Sequence, residues 1–199
     1  MLGRIHAWAL DGFHLRYAPL TAERKQRLLS LAGRRILEIC AGTGANIPWL
    51  PKGAQWTGVD PNPHGWRYIA RAARSRGIEA RLLRGVAEEL PAGGGAFDTV
   101  VATLALCSVR DPRRALEEVK RVLKKGGNLL FMEHVAAPPG SALLRKQRRW
   151  RPVFRAFGCA TDLETGAILR AAGFASLEME CFDVDLPVVR PHICGQAIR

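Results

Sequence analysis

Residues 35–46, RILEICAGTGAN, run from an apolar, branched stretch into two glycines one residue apart. A run of this kind bounded by glycine predicts a buried β-strand that ends in a tight turn and hands the chain to a helix. The alternation continues along the chain. Apolar runs rich in β-branched residues fall at 35–40, 54–60, 79–84, 97–103, 128–135, 176–184 and 192–198, with segments of helical period at 45–50, 63–76, 111–124 and 162–172. This predicts an α/β fold, a sheet with helices on both faces. The helix over 111–124 is the best defined: Leu116, Val119, Val122 and Leu123 make an apolar stripe, Asp111 and Pro112 suit its start, and KKGG suits its end.

Two stretches stand outside the alternation. Residues 1–34 read as one or two helices, and 136–160 form a connection of about 25 residues, a length typical of lids and binding loops. Ligands of open α/β sheets sit beyond the carboxyl ends of the strands, so both stretches are expected to cover a substrate there. The expectation is one domain over 1–199, with 1–34 as a helical lid and 136–160 as a substrate-side insertion.

A glycine-rich turn after a strand can hold a dinucleotide, a nucleotide phosphate or another adenosine cofactor. A phosphate loop needs a lysine that does not follow Gly42 or Gly44, and a dinucleotide fingerprint needs a small residue where this chain has Ile47. What remains is an acidic residue, Glu38, ahead of a GxG turn, then Asp60 closing the next strand in GVDPNP. Aspartate at that point can accept hydrogen bonds from both ribose hydroxyls, while the glycines let the backbone approach a cofactor without a Cβ clash.

Three further segments extend the pattern in order: GVAEELP (85–91), FDTVVATLALCSVRDP (97–112) and EVKRVLKKGGNLLFMEHV (118–135). With LEICAGTGAN and GVDPNP they resemble the class I S-adenosylmethionine-dependent methyltransferases, in particular the broad type 11 group, over about residues 34–135. The resemblance implies a Rossmann-like sheet of seven strands with the last antiparallel, and S-adenosylmethionine as cofactor, leaving S-adenosylhomocysteine as product. It also implies site residues. Glu38 matches the acidic residue near the methionine amino group, and Cys40, Ala41, Gly42, Thr43 and Gly44 match the cofactor loop. Asp60 matches the ribose acceptor, Pro61 and Ala87 lie by the adenine, and Thr103 and Leu104 lie beside the methionine. Two positions depart from the pattern. Cys40 replaces the first loop glycine, and Val86 replaces an acidic residue that binds the adenine amino group, a loss of about 0.5–1.5 kcal/mol.

The second half, with FGCATDLETGAILRAAGF and a closing PHICG, is similar to bacterial relatives of membrane-associated thiol methyltransferases and, less closely, to phospholipid N-methyltransferases. That implies a small lipophilic acceptor, thiol ahead of hydroxyl or amine. Methylation of RNA or of a phospholipid headgroup, and cofactor binding without catalysis, are the alternatives. A thiol needs only an environment that favours thiolate, whereas a hydroxyl needs a general base. His134, ending the fifth strand at the ligand edge, is the first candidate base and His192 the second. Glu133 either orients substrate or caps the sheet edge, and Cys107 and Cys159 read as small buried or lining residues.

Charge and cysteine usage bear on partners. Thirty Lys plus Arg against 18 Asp plus Glu give a net charge of +12, which attracts anionic partners or reflects composition alone. The basic run RKQRRWRPVFR (145–155) reads as a helix with a stripe of Leu144, Trp150 and Phe154 under the lid. Nucleic acid is therefore not the expected partner, while peripheral contact with an anionic membrane stays open. The first 30 residues lack the apolar core of a signal peptide and the membrane anchor of the animal thiol enzymes, which places the expectation in the cytoplasm. Five scattered cysteines without a CxxC pair predict reduced thiols and no metal site.

Overall fold

The structure, a computed structural model, describes residues 2–199. Its centre is a seven-stranded sheet in the order β3-β2-β1-β4-β5-β7-β6. The strands are β1 (Arg35–Ile39), β2 (Gln55–Val59), β3 (Glu79–Leu83), β4 (Phe97–Thr103), β5 (Leu123–His134), β6 (Ser176–Asp183) and β7 (Pro191–Ile198). β1 to β5 pair in parallel, and β7 runs antiparallel to both β5 and β6. Strand order reverses between β1 and β4, so the crevice beyond their carboxyl ends is the place where this topology binds ligands.

Side chains alternate across the sheet with the period of two that strands require. Leu37, Ile39, Val100, Ala102, Leu129 and Phe131 point to one layer, where they meet Leu116, Val119 and Val122 of α3 (Pro112–Val122) and Leu169 of α5 (Thr165–Ala171). Ile36, Trp56, Val101, Leu130 and Met132 point to the other, against Tyr17, Leu28 and Leu29 of α1 (Leu2–Leu29) and Ile69 and Ala73 of α2 (Trp66–Arg76). α3 begins as its sequence predicts, with Asp111 accepting hydrogen bonds from the Arg113 and Arg114 amides and Pro112 in the first turn.

Four expectations about elements need correction. The helix over 45–50 is only a 3-10 turn, Ile47–Trp49, because the proline at 51 pushes the residue before it out of the helical region; Leu50 sits at φ −72°, ψ 155°. The segment 63–76 is a 3-10 turn, Pro63–Gly65, followed by α2. KKGG does not close α3. The helix ends at Val122 and β5 begins at Leu123, so KKGG falls within the strand at a register shift opposite Phe97 and Thr99, with Gly126 at φ +75°. The connection 136–160 contains a helix, α4 (Ala142–Ala156), capped by Ser141, whose hydroxyl accepts from the Leu144 amide. Its expected stripe is broken: Leu144 is buried, but Trp150 is 45% exposed. Gln147 takes the inner position, accepting from the Ala137 amide and donating to the Val135 carbonyl, which ties α4 to the end of β5.

The start of α2 is pressed against the glycine-rich turn. A Cβ on Gly65 would stand 1.9 Å from the Gly42 carbonyl oxygen, a backbone atom that cannot swing aside. Gly65→Ala is expected to destabilise the fold by about 1–3 kcal/mol, the usual cost of overpacking. The check is a lower urea midpoint with an unchanged slope of free energy against denaturant.

Candidate active site

The turn after β1 is a run of unusual backbone. Cys40 (φ +51°), Gly42 (φ +55°) and Gly44 (φ +78°) all lie in the left-handed region. Glycine enters it freely, but cysteine at position 40 carries steric strain of about 1–2 kcal/mol. Asp60, at the end of β2, holds this turn: one carboxylate oxygen accepts from the Gly42 amide at 2.9 Å and the other from the Asn62 amide at 2.8 Å. On the far side of the turn, Thr43 meets Nδ1 of His14 in α1 at 2.9 Å.

Beneath the turn lies Glu38, on the β1 face toward α1 and buried. It accepts from Asn46 Nδ2 and from Trp56 Nε1, both at 2.9 Å. Burial pushes its carboxyl up to about 7, against the opposing pull of those hydrogen bonds and of Lys25. Lys25, itself buried in α1, is lowered to about 8 by desolvation, with Glu38 acting against the fall. Asn46 Nδ2 also reaches Thr103 Oγ1 at 2.6 Å, and its Oδ1 is buried without a partner.

The third wall comes from the ends of β4 and β5. Leu104 turns out of β4 with φ +50°, and its amide donates to the Met132 carbonyl. The fully buried Glu133 secures this turn, since its Oε1 accepts from the Ala105 and Leu106 amides at 2.9 and 3.1 Å. Of its two sequence readings, capping the sheet edge is the one its contacts match. Burial, then the neighbouring Cys107 thiol, raises its carboxyl to about 8. His134 ends β5, buried, with Nε2 3.1 Å from Cys159 Sγ and Nδ1 without a partner. His192, directly across the ladder on β7, donates from Nδ1 to the Arg190 carbonyl and stacks on Tyr17.

These walls enclose a cavity of about 550 Å³, within the usual range for a small-molecule site. Glu38, Cys40, Ala41, Gly42, Asp60, Pro61, Thr103, Leu104, His134 and His192 line it. Thr43 and Gly44 do not; Gly44 is packed against Ile47 and Ile69 behind the turn. Val86 and Ala87 are also outside the lining, on a tight turn bridged from Val86 to Glu89 whose neighbour Glu88 accepts from the Arg110 amide. Residues that sequence reasoning passed over complete the wall: Leu10, Phe13 and His14 of α1, and Phe157 after α4. Their elements lie outside the αβ alternation, and only their apolar character near a long connection hinted at the role.

Sequence comparison converges on the same strand ends. A methyltransferase domain model matches residues 37–131, from β1 to β5. The chain is 39% identical to thiol S-methyltransferase TMT1B of Homo sapiens over 82% of its own length and 70% of that protein's. The chain belongs to the class I S-adenosylmethionine-dependent methyltransferases. It is also 36% identical to the demethylmenaquinone methyltransferase of Thermus thermophilus, over 57% of this chain and 53% of that one. Among solved structures, a methyltransferase from Methanosarcina mazei superposes with a TM-score of 0.66 at 22% identity, covering 86% of this chain and 94% of the other. The [4+2]-cyclase SpnF superposes with a TM-score of 0.69 at 24% identity, covering 92% and 80%. A cyclase on this frame shows why the fold alone does not name the reaction.

The methyltransferase's cofactor is S-adenosylmethionine, and the residues present fit it. Two carboxylates and the unpartnered Asn46 Oδ1 offer acceptors to a ligand rich in donors and positive charge, beside a turn whose left-handed glycines leave room for it. Asp60→Ala strips the Gly42 and Asn62 amides of a charged acceptor worth about 1.5–3 kcal/mol per bond. Affinity for S-adenosylhomocysteine, measured by calorimetry, is expected to fall by at least roughly tenfold; an unchanged affinity would show that this turn does not hold the cofactor.

Proposed function

We propose that this methyltransferase acts on a small lipophilic thiol held between α1 and the segment around residues 153–159. The observation that carries the reading is the cavity's outer wall, built from Leu10, Phe13, Val153, Phe154, Phe157, Leu186 and Val189 over the strand ends. A wall of this composition favours an apolar acceptor and excludes water. Relatives named thiol S-methyltransferases, at 36–39% identity, point to sulfur as the atom methylated.

Within that reading the cofactor lies along the turn. Glu38 faces its amino group, Asp60 its ribose hydroxyls, Pro61 and Ala87 its adenine, and Thr103 and Leu104 its methionine portion. The cofactor supplies a methyl group already activated on a sulfonium. The protein's own task is to hold the acceptor in line with that methyl, and orientation of this kind is worth about 7–11 kcal/mol. None of the described lining residues is Lys or Arg. Burial lowers His14 and His192 to about 4, so both are neutral near pH 7 and neither stabilises a thiolate by charge. Placement and exclusion of water are the contributions these side chains make.

Two experiments test the assignment. An acceptor panel of alkyl and aryl thiols, phenols, amines, phospholipid vesicles and RNA, read as S-adenosylhomocysteine formed, should give turnover with thiols. Turnover confined to a phenol, an amine, phospholipid or RNA would overturn the thiol reading and leave the methyltransferase assignment standing. The second concerns pH. Without cofactor Glu38 holds its proton up to about 7, with Lys25 of α1 and Asp60 of β2 the charged groups acting on it. An ammonium at this carboxylate favours the ionised form, so cofactor binding releases a proton between about pH 4.5 and 7. Affinity is expected to weaken as pH falls through that window, by up to about tenfold per unit. Glu38→Gln should remove the proton release, as measured by calorimetry in buffers of different ionisation enthalpy.

A further inference from the structure

Cys107, His134 and Cys159 come from the turn after β4, the end of β5 and the segment after α4, and they meet at the cavity wall. Their ligand-type atoms all lie within 4.8 Å of one another, and His134 Nε2 is 3.1 Å from Cys159 Sγ. Zinc binds sulfur at about 2.3 Å and imidazole at about 2.0–2.1 Å, so tetrahedral ligands stand roughly 3.3–3.8 Å apart. The three side chains are thus close to a zinc-binding triangle without any move of the backbone. Among the described residues no fourth His, Cys, Asp or Glu joins the group, which leaves one position open. Three protein ligands with an open fourth position is the arrangement of catalytic rather than structural zinc.

The charge balance points the same way. The cavity lining has no Lys or Arg, and the buried Glu133 lies next in sequence to His134. A divalent cation held by two thiolates and a neutral imidazole is electrically neutral, which suits a buried wall. A monovalent soft cation in the same place would leave a net negative charge. The cation would also supply positive charge that favours ionisation of a thiol acceptor.

We infer that Cys107, His134 and Cys159 form a three-ligand zinc site whose open position takes the sulfur of the acceptor. The site rests on the proposed thiol reading only for the identity of that fourth ligand. On metal loading the two cysteines give up their protons. The acceptor thiol then loses its own proton to solvent as its sulfur joins the metal. In the transfer, the sulfur lone pair forms the new S–CH3 bond while the bond from methyl to sulfonium breaks, leaving neutral S-adenosylhomocysteine. The thioether produced is an uncharged, weaker ligand, so it leaves and the site returns to neutrality.

The test uses the full chain, treated with a chelator, dialysed and titrated with ZnCl2 by calorimetry and with CoCl2 by absorption spectroscopy. The expected results are one zinc per chain and a tetrahedral cobalt spectrum with sulfur-to-cobalt charge transfer. Both should be lost in Cys159→Ser, at a half-buried position where folding survives the change, and in Cys107→Ser. Binding of S-adenosylhomocysteine by Cys159→Ser should stay within about twofold, since Cys159 follows α4, away from the turn after β1. Thiol turnover should drop by at least about tenfold on stripping and return with ZnCl2. Absence of stoichiometric zinc binding, zinc binding undiminished in both variants, or full thiol turnover by stripped protein would each overturn the inference. If zinc binds through both cysteines but no thiol is methylated, the thiol reading fails while the metal site stands.

Discussion

A carboxylate buried in the sheet and hydrogen-bonded on both oxygens joins the elements of the site. Glu38 sits on β1 at the strand reversal. Its oxygens draw in Trp56 from β2 and Asn46 from the loop after the glycine turn, and Asn46 in turn reaches Thr103 at the end of β4. Lys25 of α1 acts on the same carboxylate through its charge, from the layer that Glu38 faces. Loss of any one partner leaves a buried polar group unsatisfied, at a cost of about 1–3 kcal/mol.

How much of this was legible in the sequence follows from the physics of each part. Strand positions were readable to within a few residues because both faces of the sheet are covered, so each strand is an apolar run bounded by turn residues. Asp60 and the glycine turn were readable because their backbone geometry restricts the residue type. The helix expected at 45–50 was not, since the proline at 51 ends it after a single 3-10 turn. KKGG was misread for a related reason: glycine after a helix usually caps it, but here Gly126 serves a shift of register in β5. The cavity wall from α1 and α4 was the least legible part. Nothing in the spacing of Phe13, His14, Cys107 or Cys159 shows that the fold will bring them to one place.

The net charge of +12 looks, in the sequence, like a statement about the ligand. In the structure Lys25 acts on Glu38, while the ion-paired cations lie away from the cavity lining. Arg24 and Arg27 pair with Glu180 on β6, Arg121 with Glu118 beside the α3 layer, and Lys124 with Asp98 at the opposite end of β4. Exposed pairs of this kind contribute about 0–1 kcal/mol each. The cavity lining is mostly apolar and, among the described residues, carries no Lys or Arg, so the surface charge and the site chemistry are separate properties of the chain. No helix among the described residues is long and apolar enough to cross a membrane.

The two non-glycine residues in the left-handed region, Cys40 and Leu104, close β1 and β4, the adjacent strands at which the order reverses. Backbone strain at two neighbouring strand ends persists only where the surroundings over-determine it. At Leu104 the restraint is visible: the Met132 carbonyl takes its amide, and Glu133 takes the next two. At Cys40 the following amide, Ala41, is held by the Val59 carbonyl, and Gly42 by Asp60. In both cases the strain sharpens the exit from the strand, so that the amides after it turn back into the protein while the side chains at 40 and 104 face the cavity. The pair of acids that impose these turns, Asp60 and Glu133, thereby act on the site from its two sides. One shapes the glycine turn after β1, and the other shapes the wall that carries Cys107.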